Sequence, residues 1–147
     1  MRALVQRVDL ASVLIGECTI ASINKGLVVF LGISKDDCQT DAEYIVNKII
    51  NLRVFPNTAG QFDISTADIE SELLVVSQFT LYGDTRKGNR PSFTKAAKPS
   101  HARQIYDKVI ELFKATGLRV QTGMFGEHML VDIRNNGPVT FIVDSRN

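Results

Sequence analysis

The sequence predicts a single α+β domain: mixed, largely antiparallel β-sheet with two helices packed on one side, in the order β-β-β-α-β-α-β-β-β. Three observations carry this. Strand-like runs open and close the chain in succession, which favours hairpin connections. Only two segments show apolar residues at helical spacing, and each has a single apolar face, so each covers one side of a sheet. No linker, repeat or low-complexity stretch divides the 147 residues, a length that suits one domain.

Taken in order, Arg2 to Leu10 and Ser12 to Ile20 read as a hairpin, followed by a third strand from Gly26 to Ile33. Leu27 to Ile33 is apolar but for Gly32, as a strand buried on both faces requires. Thr40-Asp41-Ala42-Glu43 has the form of a capping box, with Thr40 bonding forward and Glu43 reaching back. Ala42, Ile45, Val46, Ile49 and Leu52 then recur at helical spacing, predicting a helix to about Arg53. Pro56 to Gly60 reads as a turn and Leu73 to Thr80 as an apolar strand. Gly83 to Lys98 is polar and basic, and predicts a long surface loop of the kind that often carries function. Pro99 starts the second helix, whose stripe is Ala102, Ile105, Tyr106, Val109, Leu112 and Phe113, and Gly117 caps its end. Leu118 to Thr122, His128 to Arg134 and Val139 to Val143 complete the strands.

Composition excludes several classes of protein. Cys18 and Cys38 make neither a disulfide framework nor a metal site, and a reduced, cytoplasmic setting follows as the expectation. Arg2, Arg7 and Asp9 fall within the first ten residues with no apolar signal core, and no apolar run is long enough to span a bilayer. Net charge is +1, so no global field draws the chain to nucleic acid. The distribution is uneven, however. Between Asp84 and Asp107 there is no acid, whereas Arg86, Lys87, Arg90, Lys95, Lys98 and Arg103 all lie there. Such a segment fits either a limited phosphate-contacting surface or a solvated loop.

The familiar catalytic constellations are missing. No GxSxG elbow, phosphate-cradling glycine loop or metal-ligand spacing occurs, and no cofactor is implied. His101 and His128 stand alone, which marks them as surface or packing residues, and Cys18 reads as inert packing. Three other segments draw the eye. Ser77-Gln78-Phe79-Thr80-Leu81-Tyr82-Gly83-Asp84 turns an apolar strand polar at its end, where its side chains either face a pocket or satisfy local backbone. In Thr122-Gly123-Met124-Phe125-Gly126, leading to Met129, glycines permit close approach, and Phe125 and Met129 suit either a planar ring or the core. In Asn135-Asn136-Gly137-Pro138-Val139-Thr140, Asn-Gly reads as a hairpin turn. Proline fits poorly into a paired strand, and glycine before it lets main chain approach another molecule.

Together with Met1–Val8 and Lys87–Phe93, these segments make the chain resemble the D-aminoacyl-tRNA deacylases over essentially its full length. Five segments in order at compatible spacing are specific where any one is weak. Glu127-His128 replaces a more usual Ala-Asp pair and Asn136 a more usual Asp, and neither departure is expected to touch the Gly-Pro step.

The resemblance implies hydrolysis of the ester joining a D-amino acid to the terminal ribose of tRNA, by a homodimer with active sites at the subunit interface. It implies a cis Gly137-Pro138 peptide inserted into the partner's site as a chiral gate, with main-chain carbonyls that exclude an L side chain. A filter of that kind works by rejection, so glycine should pass too. By the same resemblance Arg7 bonds the Gly-Pro carbonyl, Phe125 and Met129 contact the terminal adenine, and Ser77, Gln78, Phe79 and Thr80 line the pocket. Backbone N–H groups there would stabilise an oxyanion. Lys87 and Arg90 are expected to meet acceptor-end phosphates. Thr80 as nucleophile needs a base that the matched segments lack, so activation of water by the tRNA's 2′-hydroxyl is the preferred chemistry. The rival readings are a non-catalytic nucleic-acid-binding module using residues 86–103 and a hydrolase of small esters using Ser77 or Thr80.

Overall fold

β1 (Arg2–Ile15) runs unbroken through Ala11 in the computed structural model, which describes residues 1–146. The hairpin predicted at Ala11 lies further on: the turn falls at Gly16, whose φ of 59° suits glycine, and β2 (Cys18–Ile23) returns from it. Nothing at Ala11 breaks the strand, because Ala11 and Val13 are both buried. Instead β1 changes partner and face midway. Arg2 to Val8 pair with β3 (Gly26–Gly32), and Ala11 to Ile15 pair with β2. Ala3 and Val5 enter the core beneath the helices, whereas Val8, Ala11 and Val13 enter a second core on the opposite side.

The sheet order is β2, β1, β3, β6 (Glu72–Ser77) and β7 (Val120–Thr122), with β8 (Leu130–Asp144) on the free side of β1. β6 lies parallel to β3, and β7 parallel to β6; the other pairings are antiparallel. β3 is buried as its apolar run demands. Gly26 passes so close to β6 that a Cβ there would sit 1.9 Å from the Glu72 carbonyl oxygen.

α1 (Gln39–Ile50) and α2 (Pro99–Ala115) cover one side of the sheet, as predicted. Ile45, Ile49, Val109 and Phe113 pack there against Leu27, Val29, Leu73 and Val75. Val28, Leu74 and Val76 face the other way, under Ala21 and Ile23 of β2, so the sheet curls over itself. The capping box sits two residues earlier than expected. The helix begins after Cys38, whose N–H donates to Asp41 Oδ2 at 2.9 Å, while Glu43 accepts from Gln39 instead.

Three further elements differ from expectation. β4 (Arg53–Pro56) and β5 (Phe62–Ser65) flank the Pro56–Gly60 turn as a small separate hairpin. β6 stops at Ser77, and Phe79–Tyr82 form a 3₁₀ turn rather than more strand. The two final strands are one, with the Gly-Pro step inside it. β8 matches Thr140 to Gln6 and Asn135 to Val8, so four residues of β8 stand opposite the single residue Arg7. The strand pushes out a loop there and then resumes. Among the described residues, no helix is long and apolar enough to cross a membrane.

Candidate active site

The parallel strands β3 and β6 end side by side, and the chain turns sharply after Ser77. Gln78 N–H donates to the Leu31 carbonyl at 2.8 Å, fixing the start of the 3₁₀ turn above Gly32. A Cβ on Gly32 would lie 2.9 Å from Leu81 Cβ and 3.1 Å from the Gln78 carbonyl, so glycine lets the turn seat there. Tyr82 closes the turn from below. Burial, with the nearby charges of Asp37 and Asp144, pushes its hydroxyl up to about 12. A short turn leaves its first N–H groups, those of Phe79 and Thr80, without carbonyls inside the turn. The Thr80 hydroxyl accepts from Gln78 Nε2, which is a donor and not a base.

A cavity of about 690 Å³ opens beside this turn. Ser77, Gln78 and Phe79 form one wall, and Phe125, His128 and Met129 another. Gly123 admits Met129 to that wall: a Cβ there would meet the Met129 sulfur at 2.7 Å, and Met124 N–H donates to the same sulfur at 3.3 Å. Phe125 leans on Tyr106 with ring centroids 5.6 Å apart, beneath the Arg103 guanidinium at 5.5 Å. Tyr106 is itself fixed by donating to the Val75 carbonyl at 2.9 Å. Phe79 is 58% exposed, edge-on to Phe93 at 5.1 Å.

Phe93 belongs to the basic segment, which folds back as a narrow loop closed by paired Asp84–Ser92 backbone bonds of 2.8 and 2.9 Å. Arg86 is committed to Asp84 and holds that carboxyl well below the usual carboxylate range. Lys87 and Arg90, at the exposed tip, form no ion pair among the described residues.

The Gly137-Pro138 peptide is cis, and both residues are exposed. Arg7 underlies the loop although it is only 8% exposed itself. Its Nε donates to the Asn136 carbonyl at 3.0 Å, Nη2 to Asn136 Oδ1 at 3.1 Å, and Nη1 to the Val54 carbonyl. Asn135 Nδ2 closes the neck of the loop by donating to the Arg7 carbonyl at 3.0 Å and the Val139 carbonyl at 3.3 Å.

Residues 4–144 match the family model described as D-Tyr-tRNA(Tyr) deacylase. The chain belongs to that family. It is 52% identical over 147 residues to a D-aminoacyl-tRNA deacylase of Dehalococcoides mccartyi, covering 100% of this chain and 96% of the relative. A D-aminoacyl-tRNA deacylase of Aquifex aeolicus is 51% identical over 146 residues, covering 99% of each. Among solved structures, the c-Myc DNA Unwinding Element Binding Protein superposes with a TM-score of 0.94 at 42% identity, covering 100% of both chains. A probable eukaryotic D-amino acid tRNA deacylase superposes at 0.87 with 17% identity, covering 97% of this chain and 98% of that one, a likeness of fold.

In this deacylase the cavity brings together Ser77, Gln78, Phe79, Phe125 and Met129. Thr80 stands just outside it, tied to Gln78, and Lys87 and Arg90 lie on the loop whose base reaches the rim. Arg7, Gly137 and Pro138 form a separate cluster that does not line the cavity of its own chain. Two details differ from expectation. The carbonyl that Arg7 holds is that of Asn136, one residue before the Gly-Pro peptide. The Asn136 side chain also accepts from Arg7, so this departure does bear on how the Gly-Pro step is held, where no such effect was expected. Glu127, His128 and Lys98 also line the cavity. A lone histidine carries no sequence signal for that placement, which comes from the turn that starts β8.

Proposed function

We propose that the chain hydrolyses the ester of D-aminoacyl-tRNA and of glycyl-tRNA, and rejects L-aminoacyl-tRNA at a backbone gate formed by Gly137 and Pro138. The observation that carries this reading is the separation of the two clusters. The cavity is walled by one set of residues, while the Gly-Pro loop is exposed, anchored by Arg7 and no part of that lining. A second copy of the chain would bring gate and cavity together. β8 favours such a homodimer: it pairs only with β1 among the described residues, so its outer edge is open, and Ile142 and Leu130 are 71% and 60% exposed. In the assembled site, Phe125 and Met129 would take the terminal adenine, Lys87 and Arg90 would meet phosphates, and the first N–H groups of the 3₁₀ turn would hold the oxyanion. Gly137 and Pro138 would block an L side chain and leave room for hydrogen or a D side chain.

The attacking water is activated by the tRNA's own 2′-hydroxyl, consistent with a Thr80 hydroxyl that meets a donor. Release of amino acid from D-tyrosyl-, L-tyrosyl- and glycyl-tRNA tests the whole reading. Loss of the D and glycyl esters with the L ester intact is expected, and equal loss of D and L would exclude the gate. Thr80→Ala should keep activity within about tenfold, whereas a substrate ending in 2′-deoxyribose should lose it; full activity on that substrate would sink the substrate-assisted route. His128→Ala is the control for a side-chain base, since a loss of kcat above about 100-fold would place that role on the imidazole.

The basic loop and the likeness to the c-Myc DNA Unwinding Element Binding Protein favour a second reading, nucleic-acid binding without catalysis. It predicts salt-sensitive binding with no release of amino acid, and the same assay separates the two.

A further inference from the structure

We propose that the Asn136 side-chain amide, clasped between Arg7 and Asp9, is a positioning element that sets the stereochemical selectivity of the Gly137-Pro138 gate. The inference rests on the gate reading above and extends it to residues which that reading leaves without a role.

A carboxamide has one accepting end and one donating end, and both are used here. Asn136 Oδ1 accepts from Arg7 Nη2 at 3.1 Å, and Asn136 Nδ2 donates to Asp9 Oδ1 at 2.7 Å. The residue's own carbonyl takes Arg7 Nε at 3.0 Å. Asn136 is thus held at backbone and side chain, immediately before Gly137. The far side of the loop has a different restraint, the Asn135 amide reaching the Arg7 and Val139 carbonyls. Gly137 has no side chain with which to hold the step; its role is to make room, since a Cβ there would lie 2.7 Å from Asn135 Oδ1. The orientation of the step on its N-terminal side therefore depends on the Asn136 clasp. Arg7 grips the step through Asn136 alone, by Nε and Nη2, while its Nη1 is turned to the Val54 carbonyl.

Asp9 dictates the chemistry required at position 136. An aspartate there would still accept from Arg7 but would turn a carboxylate oxygen toward Asp9, and two carboxylates sharing a site repel. The amide is the group that satisfies a guanidinium on one side and a carboxylate on the other.

The test measures hydrolysis of D- and L-tyrosyl-tRNA by Asn136→Asp, Asp9→Ala and the double variant Asp9→Asn/Asn136→Asp. Thermal unfolding serves as the check of folding. Asn136→Asp is expected to lower the D-over-L rate ratio by about tenfold, the scale of one lost charge-assisted bond, and Asp9→Ala by about threefold. The double variant restores a donor facing a carboxylate, and should recover the ratio to within about threefold of the parent. A ratio unchanged in folded Asn136→Asp, or a double variant no better than Asn136→Asp, overturns the proposal. If Asn136→Asp does not fold, Asp9→Ala decides, because Asp9 is exposed; an unaltered ratio there overturns it equally. A parent protein that consumes D and L esters alike would instead overturn the gate on which the clasp acts.

Discussion

Arg7 directs its planar guanidinium at three acceptors at once, two on Asn136 and one on Val54, and its cationic face lies 5.5 Å from the Phe62 ring centroid. A lysine carries the same charge but not the fork. Arg7→Lys should leave at least one of these carbonyls without a donor and lower stability by about 1–3 kcal/mol, read from urea unfolding. Sequence reasoning reached Arg7 through its resemblance to a family motif, and physical inspection of the residues alone offers no route to it. Arg7 shares its face of β1 with buried Ala3 and Val5, and one acceptor that lets a charge lie there is a carbonyl 47 residues away. Asn136 was opaque for the same reason, because its donor to Asp9 spans 127 residues.

At the scale of elements, periodicity carried most of the information. The continuous run in β3 and the two helical stripes were legible because burial on a regular element repeats at a fixed spacing. The breaks were less so. β1 continues through Ala11 because a one-residue bulge at Asp9, and not a turn, resolves its change of face: Val8 matches Asn135 and Leu10 matches Arg134, so the residues beyond Asp9 point the other way. The 3₁₀ turn after Ser77 depends on Gly32 of a neighbouring strand, which local sequence cannot signal. Gly32→Ala tests that dependence. Its Cβ would press on Leu81 and the Gln78 carbonyl, displacing the turn that carries Phe79 and Thr80. A fall in kcat of about tenfold or more is expected, with a stability loss of about 1–3 kcal/mol, both measured on the purified variant.

Over the whole molecule, the end of β8 is fastened by acidic groups. Burial pushes Asp41 up, but bonds from Ser145, Cys38 and Arg146 outweigh it and hold the carboxyl well below its usual range. Asp144 is likewise lowered, its burial outweighed by Arg2. Groups with lowered folded-state pKa values stabilise the protein above their unfolded pKa and lose that contribution as pH falls. The unfolding free energy should therefore show little dependence on these groups from about pH 5 to 7 and decline below about pH 4, as urea titrations at each pH would show. Asp37 adds a buried pair with the Met1 amine at 2.7 Å. β8 has one more property. The chain leads from Met129 on the cavity wall straight into this strand, which carries Val131 of the same wall before Pro138 in the exposed loop. In the proposed dimer, each copy would then lend its loop to one reaction chamber and its wall to the other. Injuries to loop and wall become separable between partners. A chain disabled at Pro138 and a chain disabled at Gln78, each inactive or unselective alone, should complement one another after being unfolded and refolded together. Half of the random pairs are mixed, each with one intact chamber of two, so selective D-ester hydrolysis should return to about a quarter of the parental level.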